Sequence, residues 1–472
     1  MMTFKTLYNF TAVCLFLVLM NSCSSRNLEN QETKPPNIIF IMADDMGYGV
    51  PGTYGGKIIQ TPFIDQLAAE GMKFTQAYAG SSVCAPSRSS LLLGQHVGHT
   101  SLRGNTGGIA INDEDTTFAE ILKAKGYTTG GFGKWGLGDV RTSGVPEKQG
   151  FDEFFGYYHQ IHAHFYYTDY LWNNGKKVEI PSDSSSESYT QNIIMKKMKQ
   201  FIRDNKEGQF FCFGSWTIPH TDDVGNPVIP NDDASFLLYD SLNLPLEAKE
   251  YAGMNSRVDR DLGQIQSLLK ELNIEDNTIV IFCSDNGGGK KYDAYFSVNQ
   301  PFRGYKHTFY EGGIRVPFIV KWPGKINPGI VSELPIYFPD IMPTLADMAN
   351  ASDLVPNSTD GLSIVPTLLG NEDEQLRHEA LYWELPAFDW DAMVYQSNEL
   401  QQAIRMGDWK MLRHNTESSW ELYDLKNDPS EMVDMAESNP QIIQKMEKWI
   451  SENRSDMQDQ IEPEMPEGKW FR

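Results

Sequence analysis

The chain has 472 residues, 40% of them hydrophobic and 12% aromatic, enough for a large packed core in one or more domains. Its 63 acidic residues against 40 basic ones leave a formal net charge of −23, which excludes nucleic acid as a partner because phosphate binding needs a basic face. An anionic ligand would have to be held locally, by a few Arg, Lys and His side chains in a pocket.

Residues 1–22 read as a secretory signal: Lys5 supplies a positive start, and residues 12–20 form an apolar run too short to span a membrane. Cys23 follows directly and resembles the lipid-anchor position of bacterial lipoproteins, although Met20 and Asn21 depart from that motif. An ordinary signal cleaved nearby is the alternative. Residues 24–35 are polar and read as a tether. The expected location is exported: periplasmic, or anchored through lipid at the outer membrane of a Gram-negative envelope.

Residues 37–43 make an Ile-rich strand of the buried type. Thr61-Pro62 starts a helix, with Pro at its first position and Gly71 as its stop. Residues 72–79 alternate as a strand. The run Cys84-Ala85-Pro86-Ser87-Arg88 opens a helix, and this places Cys84 where backbone N–H groups and the helix dipole favour anions. Further on come a helix at 117–125, a strand to 132, a helix at 189–205, a strand at 209–216, a long helix at 246–272 and a buried strand at 278–283.

The alternation implies an α/β fold: a large mixed, mostly parallel sheet between helices. Asp44-Asp45 and Asp285-Asn286 each follow an apolar strand, at the sheet edge where sites form in open α/β folds. After residue 370 the strands shorten around turns such as Gly407-Asp408. Residues 371–472 therefore read as a smaller C-terminal subdomain, with a short antiparallel sheet and a closing helix at 440–452. Cys212 and Cys283 lie in apolar runs and read as buried thiols rather than a disulfide.

Several motifs occur in a fixed order. They are Asp44-Asp45-Met46-Gly47, Cys84-Ala85-Pro86-Ser87-Arg88, Gly133-Lys134-Trp135-Gly136, Pro219-His220, Ser284-Asp285-Asn286-Gly287, and Arg303-Gly304-Tyr305-Lys306 with Glu311 to Arg315 beyond it. Together, over roughly residues 36–440, they resemble the type I, formylglycine-dependent sulfatases of the alkaline phosphatase superfamily. The resemblance implies a catalytic domain at 36–370. It implies that a separate maturation enzyme, recognising Pro86 and Arg88, oxidises Cys84 to formylglycine, whose hydrated aldehyde is the nucleophile. Asp44, Asp45, Asp285 and Asn286, with position 84, would bind one hard cation, Ca²⁺ by family expectation, with Mg²⁺ also suited to oxygen donors. Arg88 would contact the diol or the metal carboxylates, Lys134 and Lys306 would hold sulfate oxygens, and His220 would sit near the leaving oxygen. Ser87 would support position 84, while Arg303, Glu311 and Arg315 would shape the Lys306 loop as satisfied ion pairs.

The pattern has departures. Many sulfatases carry a His at the position of Gly136, usually assigned to deprotonating the diol; its absence leaves that base to a water, His164 or His99. Val50 stands where Asp is common. Residues 156–172 are rich in His and aromatics and read as a sugar-pocket wall, with Gln160, His162 and His164 as contacts, and Arg103 and Asn105 as a second pocket element. The branch with Gly at position 136 acts on sulfated galactose or N-acetylgalactosamine, often at O4, so a sulfated carbohydrate is the expected substrate. The competing readings are a formylglycine-dependent phosphodiester or phosphonate hydrolase, and a catalytically inactive glycan-binding lipoprotein.

Overall fold

The computed structural model describes residues 34–106, 109–181, 183–389 and 394–457. The expectations for the signal, for Cys23 and for all but the end of the tether lie outside the described residues. Residues from Pro36 onward form one compact unit.

Its centre is strand β1 (Asn37–Ala43), buried along its whole length. Alternate residues feed two cores: Ile39, Ile41 and Ala43 point to one face of the sheet, and Ile38, Phe40 and Met42 to the other. Ten strands make the main sheet. In chain order they are β1, β2 (Met72–Phe74), β4 (Thr128–Lys134), β5 (Glu153–Tyr157), β6 (Tyr170–Asn173), β7 (Lys176–Glu179), β8 (Phe210–Ser215), β9 (Thr278–Ser284), β10 (Phe318–Lys321) and β11 (Ile330–Ser332). Across the sheet the order is β11-β2-β10-β9-β1-β8-β4-β5-β6-β7. The five strands from β9 to β5 run parallel, while β10, β6 and β7 pair antiparallel.

The expected strand at 72–79 breaks in two. β2 joins the main sheet, while β3 (Ala77–Tyr78) leaves it to pair with β12 (Ile336–Tyr337). Helices α1 (Pro62–Glu70), α4 (Thr190–Asn205) and α5 (Leu246–Glu271) cover the first core. Helices α2 (Cys84–Leu93) and α3 (Phe118–Ala124) cover the second. Pro62 stands at the start of α1, as the sequence indicates, and α3 is closed by a reciprocal Thr117–Glu120 capping box.

A four-stranded antiparallel sheet follows, β13 (Leu381–Asp389), β14 (Val394–Met406), β15 (Trp409–Arg413) and β16 (Glu421–Asp424), with helix α6 (Pro440–Asn453) packed on it. A buried ion cluster ties it to the loop after Lys306: Lys410 lies 2.9 Å from both Glu311 and Glu431, and Glu311 also pairs with Arg315 at 3.0 Å. Arg303 donates to the Glu431 carbonyl at 2.7 Å. Cys84, Cys212 and Cys283 are free, buried thiols. Among the described residues no helix is long and apolar enough to cross a membrane.

Candidate active site

The neighbouring parallel strands β9, β1, β8 and β4 end side by side. The register that pairs Ala43 with Ser284, and both Met42 and Gly133 with Ser215, brings the residues just beyond these ends to one level. Asp44 follows β1, Asp285 follows β9, and Lys134 is the last residue of β4, two residues beyond the expected strand end. Asp45 adopts a φ of 67°, in the left-handed region, with its N–H held by Asp285 Oδ1 at 3.1 Å. Such strain persists where surrounding contacts over-determine it, and it concentrates at functional sites.

The side chains form an alternating charge cluster. Arg88, one turn into α2, donates from Nε and Nη2 to Asp285 Oδ2 at 3.1 and 2.8 Å and lies 3.4 Å from Asp44. Its Nη1 donates to the Lys134 carbonyl at 3.0 Å and to Ser215 Oγ. Lys134 Nζ reaches Asp44 Oδ2 at 2.6 Å, and Lys306 Nζ reaches Asp45 Oδ2 at 2.8 Å. Asp44, Asp45 and Asp285 are thus balanced by Arg88, Lys134 and Lys306. Burial works to raise Asp44, but Lys134, then His220, Arg88 and Lys306, outweigh it and hold the carboxyl well below its usual range. Asp285 goes the other way: burial and the Asp44 charge push it up to about 7 against the pull of Arg88.

Asn286 completes the group. Its amide nitrogen donates to Asp45 Oδ1 at 2.7 Å, while its Oδ1 is buried without a hydrogen-bond partner. An orphaned amide oxygen beside ionised carboxylates fits a hard divalent cation. Asp44, Asp45, Cys84 and His220 also bring ligand atoms within 4.8 Å of one another. His220 Nε2 is engaged by Lys306 at 2.9 Å, so the oxygen donors are the better fit.

Cys84 is the first residue of α2 and fully buried. Its Sγ donates to Asp44 Oδ1 at 3.2 Å; burial, and then the Asp44 charge, push the thiol far up, so it is not a ready thiolate. The helix start has no cap from Val83; Asn105 Oδ1 accepts the Ala85 N–H instead, at 2.9 Å, and also accepts from Gln160 Nε2 at 3.2 Å. Ser87 Oγ ties α2 to the Asp285 carbonyl at 2.5 Å. Gln160 explains Gly136: a Cβ there would stand 2.6 Å from Gln160 Oε1, at a φ of +77°. The space of a position-136 side chain is filled by Gln160, and the glycine backbone permits it.

His220 closes the other side. Its Nδ1–H donates to the Thr221 carbonyl at 2.5 Å, which leaves Nε2 to accept from Lys306. His164 stacks on it at 4.3 Å, with a buried Nε2 that has no partner. Both line a cavity of 510 Å³ with Asp45 and Lys306, together with Tyr251, Tyr292 and Tyr305. The Ser215 hydroxyl and the Thr221 carbonyl were not expected; Ser215 is marked only by its place at the end of β8, and Thr221 only by following His220.

Two expected sugar contacts have other partners. Arg103 is buried, its Nη1 2.9 Å from Glu384 Oε1 and from the Ser455 carbonyl, so its fork ties the loop to the C-terminal segment. His162 is enclosed by Tyr157 and Tyr170, with Nε2 2.8 Å from Thr168 Oγ1. Burial, then His159 and Lys177, lower His162 to about 3. With the folded value below the unfolded ~6.5, its stability contribution is present above pH ~6.5 and is lost as pH falls toward 3. Between pH 7 and pH 5 the protein should lose about 2 kcal/mol more than its His162→Gln variant, read by urea denaturation at both values. His99, the other candidate base, is held by a hydrogen bond to Asp360 at 3.0 Å beside a stacked His96 and does not line this cavity.

This geometry, a buried Cys at a helix start among strand-end carboxylates and cations, suits a hydrolase of anionic esters. The chain belongs to the sulfatase family: the Sulfatase family model matches residues 36–351, and the model "N-sulphoglucosamine sulphohydrolase, C-terminal" matches 304–456. It is accordingly a sulfuric ester hydrolase. It is 31% identical to an N-acetylgalactosamine-6-sulfatase of Canis lupus familiaris, over 82% of this chain and 73% of the relative. It is 27% identical to an N-acetylgalactosamine-6-O-sulfatase of Bacteroides thetaiotaomicron, over 92% and 96%. Among solved structures, Ps i-CgsB in complex with k-i-k-neocarrahexaose superimposes with a TM-score of 0.75 at 29% identity, covering 91% of this chain and 96% of that one.

Proposed function

We propose that this sulfatase hydrolyses sulfate esters of galactose or N-acetylgalactosamine in sulfated glycans. It would do so with a formylglycine made from Cys84 by a maturation enzyme and with a bound Ca²⁺, Mg²⁺ being the other ion these donors suit. The observation that carries the reading is Cys84 itself, at the start of α2 between Asp44 and the Asn105 amide, within one cluster with Arg88, Lys134 and Lys306. The sugar class is supported by the named activities of two relatives and by the glycan bound to Ps i-CgsB.

When present, the formylglycine would supply an oxygen nucleophile, and a cation held by Asp44, Asp45, Asp285 and Asn286 would offset negative charge on the sulfate. The chain's own groups do the rest. Arg88 keeps Asp285 and Asp44 oriented. The Lys134 and Lys306 ammonium groups, set beside Asp44 and Asp45, would hold sulfate oxygens, where charge builds in the transition state. His220, its tautomer fixed by Thr221, shares a proton with Lys306 at the place where a leaving oxygen needs one. Burial and Lys306 hold His220 well below its usual value, which keeps it neutral as the acceptor of the Lys306 N–H, so the proton for a leaving oxygen would come from the Lys306 ammonium. Export with a lipid anchor at Cys23 belongs to the same proposal, since sulfated glycans are met outside the cell.

The test uses protein matured in a competent host, with Cys84 conversion measured by mass spectrometry. It is incubated with 4- and 6-sulfated galactose and N-acetylgalactosamine, and with sulfated glucosamine and fucose. The O4 position is expected from the sequence; the two relatives are named for O6. Sulfate release from a galacto sugar supports the proposal and fixes the position. Release only from glucosamine or fucose removes the sugar class. Release of the alcohol from a phosphonate monoester or phosphodiester with no sulfate release, or no turnover by fully converted protein, overturns it.

A further inference from the structure

We infer that the mouth of the 510 Å³ cavity holds a second anion subsite, built on Lys290 and His307, so that the enzyme acts best on sugars carrying another sulfate or carboxylate beside the ester to be cut. The inference rests on the sulfatase and sugar reading above and specifies the substrate within it.

The cavity wall around Lys306 carries both signs of charge. Lys290, Lys291, Lys306 and His307 line it, and so do Asp222 and Asp223. Lys306 is occupied, bound to Asp45 and His220. Lys291 is occupied as well, pairing with Glu247 at 2.6 Å and donating to the Gly225 carbonyl at 2.9 Å. Lys290 differs. Among the described residues no carboxylate lies in ion-pair range of it; its ammonium is 5.2 Å from the centre of the Tyr305 ring, beside the residue that precedes Lys306. An ammonium parked on an aromatic face at the rim of a reaction cavity is placed for an incoming anion.

His307 adds a donor from the same wall. It takes a φ of 74°, with its N–H on the Ser82 carbonyl at 3.0 Å, two residues from Cys84. That uncommon conformation turns the chain directly after Lys306, so Lys306 and His307 line one cavity from successive positions. Asp222, in the same lining, is fixed by its own turn, its Oδ1 accepting from Val224 at 3.1 Å and Asn226 at 2.7 Å. A sugar entering this cleft meets cations for its anionic groups and carboxylates that accept from its hydroxyls. In a chain of net charge −23, such a local cluster of cations is what can hold a second anion.

The experiment compares N-acetylgalactosamine 4-sulfate, 6-sulfate and 4,6-disulfate with converted full-length protein. The wild type should prefer the disulfate in kcat/KM, and Lys290→Ala should cut that preference about tenfold, through KM. Lys290→Glu should cut it further, since repulsion replaces attraction. A preference that stays within twofold in both variants, or a wild type that favours the monosulfates, overturns the subsite while leaving the sulfatase reading intact. Calorimetry on Cys84→Ser protein with Ca²⁺ gives a readout free of turnover. Tighter binding of the disulfate than of either monosulfate, lost in Cys84→Ser/Lys290→Ala, supports the subsite even where the position of cleavage has been misjudged. Equal binding of all three sugars, or none, overturns it.

Discussion

Cys84→Ser protein should fold and bind as the wild type does and turn over no sulfate ester, with kcat down by about 10⁴ or more, as for loss of a nucleophile elsewhere. The unmodified thiol should be equally inactive. It is buried, donates to Asp44 at 3.2 Å, and is pushed far above the range where a thiolate forms at neutral pH. A serine hydroxyl keeps the same donor to the same carboxylate, so thermal stability should change by no more than about 1 kcal/mol, whereas Cys84→Ala also loses that hydrogen bond. Activity across wild-type preparations should then scale with the converted fraction seen by mass spectrometry. Turnover by Cys84→Ser, or by protein with no conversion, above about one per cent of the matured level would remove formylglycine from the mechanism.

The sequence carried the frame of this site for a physical reason. Runs 37–43 and 278–284 are buried on both faces, so they read as continuous apolar strands, and the first charged residues after them had to lie at the sheet edge. Residues that depend on distant partners were not legible. Nothing local distinguishes Arg103 from a substrate contact, because the carboxylate that takes it, Glu384, is 281 positions away. The run 72–79 alternates throughout, and periodicity does not report that its halves pair with different sheets. Gly136 departs from the family's His, and only the fold places Gln160 in the space beside it, a residue 24 positions further along the chain. Lys290 and His307 belong to the same class, ordinary surface residue types that gain meaning only from the cavity they share.

Lys134→Met should show whether a cation is built into the design. Lys134 and Asp44 are both fully buried and 2.6 Å apart, so removing the ammonium leaves a buried carboxylate short of one partner, which costs about 3–5 kcal/mol in comparable pairs. Arg88, at 3.4 Å from Asp44, offsets only part of this. Turnover should fall about 10²- to 10³-fold, since Lys134 would also face the sulfate. Calcium should then act differently on the two proteins. In the wild type it stabilises by binding the folded state alone, about 2.7 kcal/mol at a hundredfold excess over Kd. In the variant it also supplies the charge that Asp44 has lost, so the stabilisation in denaturant titrations should be larger, while turnover stays low because an ion on the carboxylates does not replace a donor to the substrate. Chelated wild type should lose turnover and recover it with Ca²⁺ more fully than with Mg²⁺, whose demand for a tight octahedron suits this asymmetric set less well. If Ca²⁺ stabilises neither protein and chelation leaves turnover intact, the alternating carboxylates and cations are complete without an ion, and the orphaned Asn286 oxygen must be facing substrate instead.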